Sequence, residues 1–264
     1  MSLAMNPMNT DSFAGKHVLI TGSVGGIGHA TAERFDALGA TLILMDQDEQ
    51  GLMKQAQTLR APAAYYAFDI ADENRLDAAF ADINTRFGRL DAAFLNAGTV
   101  GKVSPIVDQS LDTFDRVMAV NLRSVFVCLK HSMRIMQAGA GGSIVITSST
   151  GGVRGSVGLS PYVASKHAVI GLMKSAALEG AKHGIRVNTV NPGTIDTAMI
   201  REIEENSGVA SDIRARNVSG IPLKRYGSPA EVAQLVTFLA SDQASFITGA
   251  SYLIDGGVMA GRSP

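Results

Sequence analysis

The run HVLITGSVGGIG, residues 17–28, decides how this chain folds. His17 to Thr21 form a short β-prone apolar run of strand length. Gly22 then allows a sharp turn, while Gly26 and Gly28 let backbone approach a ligand and let a helix pack close to a strand. The glycine spacing is not that of the common dinucleotide fingerprint, so the turn alone is equally consistent with a plain tight turn. Its flanks favour a ligand. A strand precedes it, and an amphipathic stretch over 26–38, with Ile27, Ala30, Phe35 and Leu38 near one face, follows it. A helix starting near Gly26 offers unpaired N–H groups to a pyrophosphate.

Working outward, the same alternation recurs. Apolar runs occur at 41–46, 63–68, 91–95, 143–148, 185–190 and 251–255. A helical pattern covers 72–87, with Leu76, Ala79, Phe80 and Ile83 three and four apart. Asp72 and Asp108 are expected helix N-caps. Strands alternating with helices predict an α/β fold: a doubly wound parallel sheet of about seven strands with helices on both faces. No linker or repeat interrupts it, so we expect a flexible leader over 1–14 and one domain over 15–264. Residues 149–160 and 194–227 break the rhythm, and 194–220, containing MIREIEE, reads as a substrate lid with a short helix.

Composition narrows the function. The 264 residues are 46% hydrophobic, enough for a sizeable core, and carry 23 Lys+Arg against 24 Asp+Glu. Such a balance attracts neither nucleic acid nor an anionic membrane. No apolar run approaches the ~20 residues of a membrane span, and the N-terminus lacks the pattern of a signal peptide. The single cysteine, Cys128, lies in an apolar run and reads as a packing residue in a reducing compartment. Five scattered histidines supply no metal-ligand spacing. A cytoplasmic protein is expected.

The chemistry starts from YVASK, Tyr162 to Lys166, a phenol and an ammonium about one helical turn apart. By itself such a pair is ordinarily a core-edge aromatic beside a solvated charge. Asp46, ending the second strand roughly 20 residues beyond the glycines, can accept hydrogen bonds from a ribose, although a turn residue is the plainer reading.

Taken in order, the motifs resemble those of the short-chain dehydrogenase/reductase family, from Lys16 to Gly257. Thr21-Gly22-x-x-x-Gly26-x-Gly28 is similar to the cofactor turn. Asp69, with Ile70 beside it, matches the acid that contacts the adenine amino group. Asn96-Ala97-Gly98 matches the motif closing the fourth strand, with Leu95 where the family often has another Asn. Asn121 matches the catalytic Asn, and Ser149 stands thirteen residues before Tyr162, at the family's usual spacing. NPGTIDT, with Pro192, Gly193, Ile195 and Thr197, resembles the loop that holds the nicotinamide.

The resemblance implies an NAD-dependent oxidoreductase that interconverts a secondary alcohol and a ketone by hydride transfer. Tyr162 is then the general acid/base and Ser149 the hydrogen-bond partner of the substrate oxygen, with Ser148 its nearest rival. Lys166 binds the nicotinamide ribose and lowers the phenol, of which only about 0.1% would otherwise be ionised at pH 7. Asn121 holds a water that links Lys166 to solvent. NAD is expected over NADP, because Asp46 repels a 2′-phosphate and neither Gly25 nor Gln47 can neutralise one; Lys54 lies on the following helix.

A 3-oxoacyl thioester reductase and a cofactor-binding regulator without turnover are the alternatives. The complete tetrad speaks against the regulator. An epimerase or dehydratase generally adds a C-terminal domain, and the enoyl reductase branch separates its Tyr and Lys more widely. Val153, Val157, Leu159, Met199 and Ile203 suggest a partly apolar pocket for a small or medium alcohol. A homotetramer is expected from the family and from the apolar excess of 110–137 and 160–183.

Overall fold

The computed structural model describes residues 12–60, 62–205 and 210–261. In chain order the elements are β1 (His17–Thr21), α1 (Gly26–Ala37), β2 (Thr41–Asp46), α2 (Glu49–Thr58), β3 (Pro62–Ala67), α3 (Glu73–Phe87), β4 (Ala92–Leu95) and α4 (Leu111–Met118). There follow α5 (Ser124–Ala138), β5 (Gly142–Thr147), α6 (Ser160–Ala181), β6 (Ile185–Pro192), α7 (Ala198–Glu205), α8 (Ala210–Ser219), α9 (Pro229–Ala240) and β7 (Ser251–Ile254). The seven strands form one sheet in the order β3-β2-β1-β4-β5-β6-β7. Every pairing is parallel.

Side-chain alternation divides the core between the two faces. Leu19, Ile43, Ala93, Ile144 and Val187 join the face covered by α3, α5 and α6. Their neighbours Val18, Ile20, Leu42, Leu44, Phe94 and Val145 join the face covered by α1, α2 and α9. Strands buried on both faces read as continuous apolar runs, which is why β1, β2, β4, β5 and β6 were legible. Strand order reverses between β1 and β4, and the crevice beyond the carboxyl ends of strands at such a point is where open α/β sheets bind ligands.

Helix α3 buries Leu76, Ala79, Phe80 and Ile83, and its N-cap Asp72 accepts the Arg75 N–H at 3.1 Å. Three expectations need correction. The cap of α4 is Ser110, which accepts the Thr113 N–H; Asp108 instead ends a 3₁₀ turn whose backbone bonds to Pro105. On α1 the buried face runs through Gly28, Thr31, Ala32 and Phe35 rather than Ile27 and Ala30. Small residues there let α1 lie close to its neighbours, so bulk misplaced the stripe.

The leader is also shorter than expected. Phe13 is fully buried, its ring edge-on to Phe35 at 4.8 Å and its N–H bonded to the Leu38 carbonyl. An aromatic next to β1 fills the space beneath α1. Residues 1–11 of the leader lie outside the described residues. So do 206–209 of the lid and the side chain of Ile203; the described parts of 194–220 hold α7 and α8, with MIREIEE inside α7.

Candidate active site

A cleft of about 550 Å³ opens at the carboxyl ends of the strands. Its size suits a small-molecule or cofactor site. The glycine turn forms its floor. Gly22 has φ +64°, and its N–H and that of Ser23 both bond to the Met45 carbonyl. A Cβ on Gly22 would meet the Ala97 Cα at 2.8 Å, and one on Gly28 would lie 2.0 Å from the Gly22 carbonyl oxygen. Gly28 therefore packs behind the turn, whereas Gly22, Gly26 and Ile27 line the cleft.

Helix α1 begins at the cleft without a side-chain cap, whereas Asp48, Asp72, Ser110 and Ser228 cap α2, α3, α4 and α9. Its first-turn N–H groups are left for a ligand. At the end of β2, Asp46 accepts N–H bonds from Val24 at 3.0 Å and Asp48 at 3.1 Å, so it braces the turn as well as facing the cleft. Asp69 and Ile70 follow β3 and line the cleft too. Asn96 closes β4: its amide donates to the Gly22 carbonyl and its oxygen accepts from Thr147. Leu95, where a further Asn is common, is buried in the core. Bare glycine backbone, an uncapped helix start and two carboxylates are a donor and acceptor set that fits an adenine dinucleotide.

The inner wall brings Ser149, Tyr162 and Lys166 together. Ser149 follows β5, accepts the Gly151 N–H at 3.0 Å and hydrogen-bonds Tyr162. Its neighbour Ser148 turns away, donating from its buried hydroxyl to the Lys166 carbonyl at 2.9 Å. Tyr162 and Lys166 lie on α6, with the ammonium nitrogen 5.7 Å from the ring centroid. Lys166 donates to the Thr147 carbonyl at 2.8 Å, and burial pulls it down to about 8.

The Tyr162 phenol is displaced upward, not downward. Protein crowding around it raises its pKa, and the Ser149 bond recovers only part of that. The lysine by itself does not overcome desolvation of a buried phenolate.

Asn121 sits where the helix between α4 and α5 widens into a π turn, Ala119–Arg123. Such turns often mark functional sites. Its side chain is fully engaged: the oxygen accepts the Thr99 N–H, and the amide donates to the Thr99 carbonyl and the Ser165 hydroxyl. No side-chain donor is left for the water assigned to it.

Pro192, Gly193, Ile195 and Thr197 form the opposite wall with Ala198, Met199 and Ile200 of α7. Of the apolar residues expected around the substrate whose side chains are described, Met199 lines the cleft; Val153, Val157 and Leu159 do not, and Val157 is fully exposed. The chain turns outward there through Gly158, with φ +77° and a carbonyl bonded to the Ser104 N–H. Sequence reasoning named Thr21 as the start of the glycine motif but gave it no role; its hydroxyl accepts the N–H groups of Asn96 and Ala97. That reasoning missed Arg116, for which no local pattern gave a signal.

Fold and cleft together define a nicotinamide-linked oxidoreductase, and the known proteins agree. A family model described as enoyl-(acyl carrier protein) reductase matches residues 22–259. Levodione reductase of Leifsonia aquatica is 39% identical over 255 residues, covering 94% of this chain and 96% of that one. Cyclohexanol dehydrogenase of Acinetobacter sp. (strain SE19) is also 39% identical over 255 residues, covering 96% and 98%. The crystal structure of levodione reductase superimposes with a TM-score of 0.90 at 37% identity, over 94% of this chain and 99% of that one. The chain belongs to the short-chain dehydrogenase/reductase family.

Proposed function

We propose that the protein interconverts a small or medium secondary alcohol, preferably cyclic, and its ketone, with NAD favoured over NADP. The observation that carries this reading is the convergence of Ser149, Tyr162 and Lys166 on the inner wall of a glycine-floored cleft, the lysine one turn along α6 from the phenol. Of the two relatives named above, one is by its name a levodione reductase and the other a dehydrogenase of cyclohexanol, a cyclic alcohol.

In this reading Gly22, Gly26, Asp46, Asp69, Asn96 and the 192–197 loop hold the dinucleotide, which when bound accepts or supplies a hydride at a ring carbon. Ser149 orients the substrate oxygen, and Tyr162 takes its proton during alcohol oxidation or gives one during ketone reduction. Burial opposes the phenolate, so the ammonium of Lys166 must act together with the positive charge that an oxidised nicotinamide brings. Asn121 holds the π turn and Thr99 in place behind Lys166.

The NAD preference rests on Asp46 at the rim, with Gly25 and Gln47 exposed beside it and Lys54 exposed on α2. Since Asp46 also braces the turn, the informative quantity is the NAD-to-NADP ratio of kcat/KM in Asp46→Asn. A fall in that ratio supports the assignment, and an unchanged ratio removes Asp46 from it.

We further propose one domain with a lid over 194–220, and a homotetramer. Leu111, Phe114, Phe126 and Leu178 are exposed on α4, α5 and α6, Phe246 is fully exposed, and Leu253 is half exposed on edge strand β7. Light scattering that finds a monomer overturns the assembly. A cytoplasmic location agrees with a single buried thiol pushed up to about 12 by desolvation. No helix among the described residues is long and apolar enough to cross a membrane.

The deciding experiment is a spectrophotometric screen of cyclic and acyclic secondary alcohols with NAD and NADP, beside carrier-linked 3-oxoacyl and enoyl thioesters with the reduced cofactors. Turnover of cyclic alcohols supports the reading. Turnover of carrier thioesters alone defeats it in favour of an acyl reductase.

A further inference from the structure

Asp69 is not free to serve a ligand alone. Its Oδ1 accepts the Ala71 N–H at 3.0 Å, and its Oδ2 accepts from Nη1 of Arg116 at 2.7 Å. The guanidinium arrives from α4, 47 positions along the chain, and holds the Asp69 carboxyl below its ordinary range. Both side chains are about half exposed, so the pair adds little to folding. Arg116 nevertheless lines the cleft, as does Val120 one helical turn later. Asp69, Ile70, Arg116 and Val120 thus gather at one end of it.

Their chemistry is selective. Each carboxylate oxygen keeps a lone pair after its first hydrogen bond, so Asp69 can still accept from an exocyclic amino group. A guanidinium plane stacks on a flat π-system, and Val120 and Ile70 supply apolar contact to the same ring. A purine carrying an amino group satisfies all four residues. One carrying a carbonyl there sets oxygen against carboxylate.

We propose that Arg116 is a specificity-determining residue of the cofactor site: it covers the adenine ring and, by gripping Asp69, aims a carboxylate at the adenine amino group. This rests on the reading that an adenine dinucleotide fills the cleft.

The test is binding, not turnover. The chain has no tryptophan, so NADH fluorescence can be titrated without that background, and calorimetry can follow AMP and IMP. Arg116→Ala should weaken NADH and AMP by about tenfold each and shrink the preference for AMP over IMP. Arg116→Lys keeps a charge for Asp69 but loses the plane, and should recover only part of the loss. A merely structural arginine would leave the AMP-to-IMP ratio alone, so an unchanged ratio overturns the proposal. AMP binding within about twofold of wild type in Arg116→Ala also overturns it, and so does full recovery by lysine. A wild-type protein that binds AMP but not NADH leaves the adenine assignment standing and sinks the nicotinamide reading. Failure to bind AMP sinks the assignment.

Discussion

The glycine turn and the segment proposed as a lid both border the cleft, and they are held by opposite kinds of force. Turn residues bond through their own backbone at fixed, short range: the Gly22 and Ser23 N–H groups to the Met45 carbonyl, the Val24 N–H to the Asp46 carboxylate, and the Gly22 carbonyl to the Asn96 amide. The lid is tied by side-chain ions. Asp196 pairs with Arg201 at 2.7 Å and Arg214 at 2.9 Å, Arg214 also reaches Glu204 at 3.4 Å, and Tyr226 donates to Glu204. Arg214 further stacks on the Tyr226 ring, 4.5 Å from its centroid. Backbone bonds at a strand end leave one permissible residue type at each place. Ion pairs at the rim tolerate substitution and motion, as a segment that must admit substrate requires.

The largest effect should come from the inner wall, which belongs to the rigid side of this contrast. Tyr162→Phe removes the proton carrier and should lower kcat by about 10³-fold or more, with NADH affinity nearly intact. Ser149→Ala should cost roughly 10²-fold. Ser148→Ala should alter stability more than turnover, because its hydroxyl serves the Lys166 carbonyl. Steady-state kinetics of the three variants decides this. A Ser148 variant worse than the Ser149 variant would reverse the assignment. Alcohol oxidation should also speed up with rising pH and ketone reduction slow down, since the base is a phenolate and the acid a phenol.

Next comes the turn itself. Gly28→Ala places a methyl 2.0 Å from the Gly22 oxygen, where only backbone can yield. A loss of about 3 kcal/mol of stability is expected, with much weaker NADH binding. Denaturant melts and fluorescence titration measure both. A Gly28→Ala protein of native stability would mean that the turn is as pliable as the lid.

The third prediction separates stability from function. Lys166 is almost wholly buried, and desolvation lowers it from 10.5 to about 8. Between those two values the unfolded chain holds the proton that the folded chain has released, so this residue makes stability rise with pH across that window. Below it the lysine is charged in both states, and the folded state bears the whole desolvation cost, up to about 3 kcal/mol. Lys166→Met should therefore raise Tm at pH 7 while abolishing turnover, less whatever the Thr147 bond contributes. An unchanged or lower Tm contradicts it.

The same contrast explains what could be read from sequence. Strands buried on both faces advertise themselves, and the glycine turn needs residues without Cβ at fixed spacing. Ser149, Tyr162 and Lys166 stood out through their resemblance to a family motif, since helical spacing alone left Tyr162 and Lys166 as an ordinary pair. Arg116 did not, because its partner is 47 positions away and no local period links the two. The substrate wall misled for a related reason: Val153 and Val157 are apolar, but Gly158 turns their segment outward. Composition says nothing of where a loop points. Phe13 shows the converse, a core residue hidden in what read as a leader.

The smallest effect should come from the lid, and it tests the contrast most directly. Arg214 touches two carboxylates and one aromatic ring, so Arg214→Ala removes three of the contacts of α8 at once and leaves it the Asn217 bond to the Tyr226 hydroxyl. The Asp196 pair lies at the solvent edge, where pairing is weak and salt-screened, and buried Glu204 keeps its hydrogen bond from Tyr226 when the arginine is gone. The fold should survive with Tm nearly unchanged. Lid closure should suffer instead: Ala198, Met199 and Ile200 of α7 line the cleft, and Arg214 of α8 reaches Glu204 of α7. KM for the alcohol should rise roughly threefold to tenfold, with kcat less affected. Raising ionic strength should move the wild-type KM in the same direction and leave the variant's nearly flat, since the screened pairs are already gone. Two measurements can break this. A large fall in Tm for Arg214→Ala would make the lid part of the rigid body, and equal salt dependence in both proteins would show that ion pairs do not hold it.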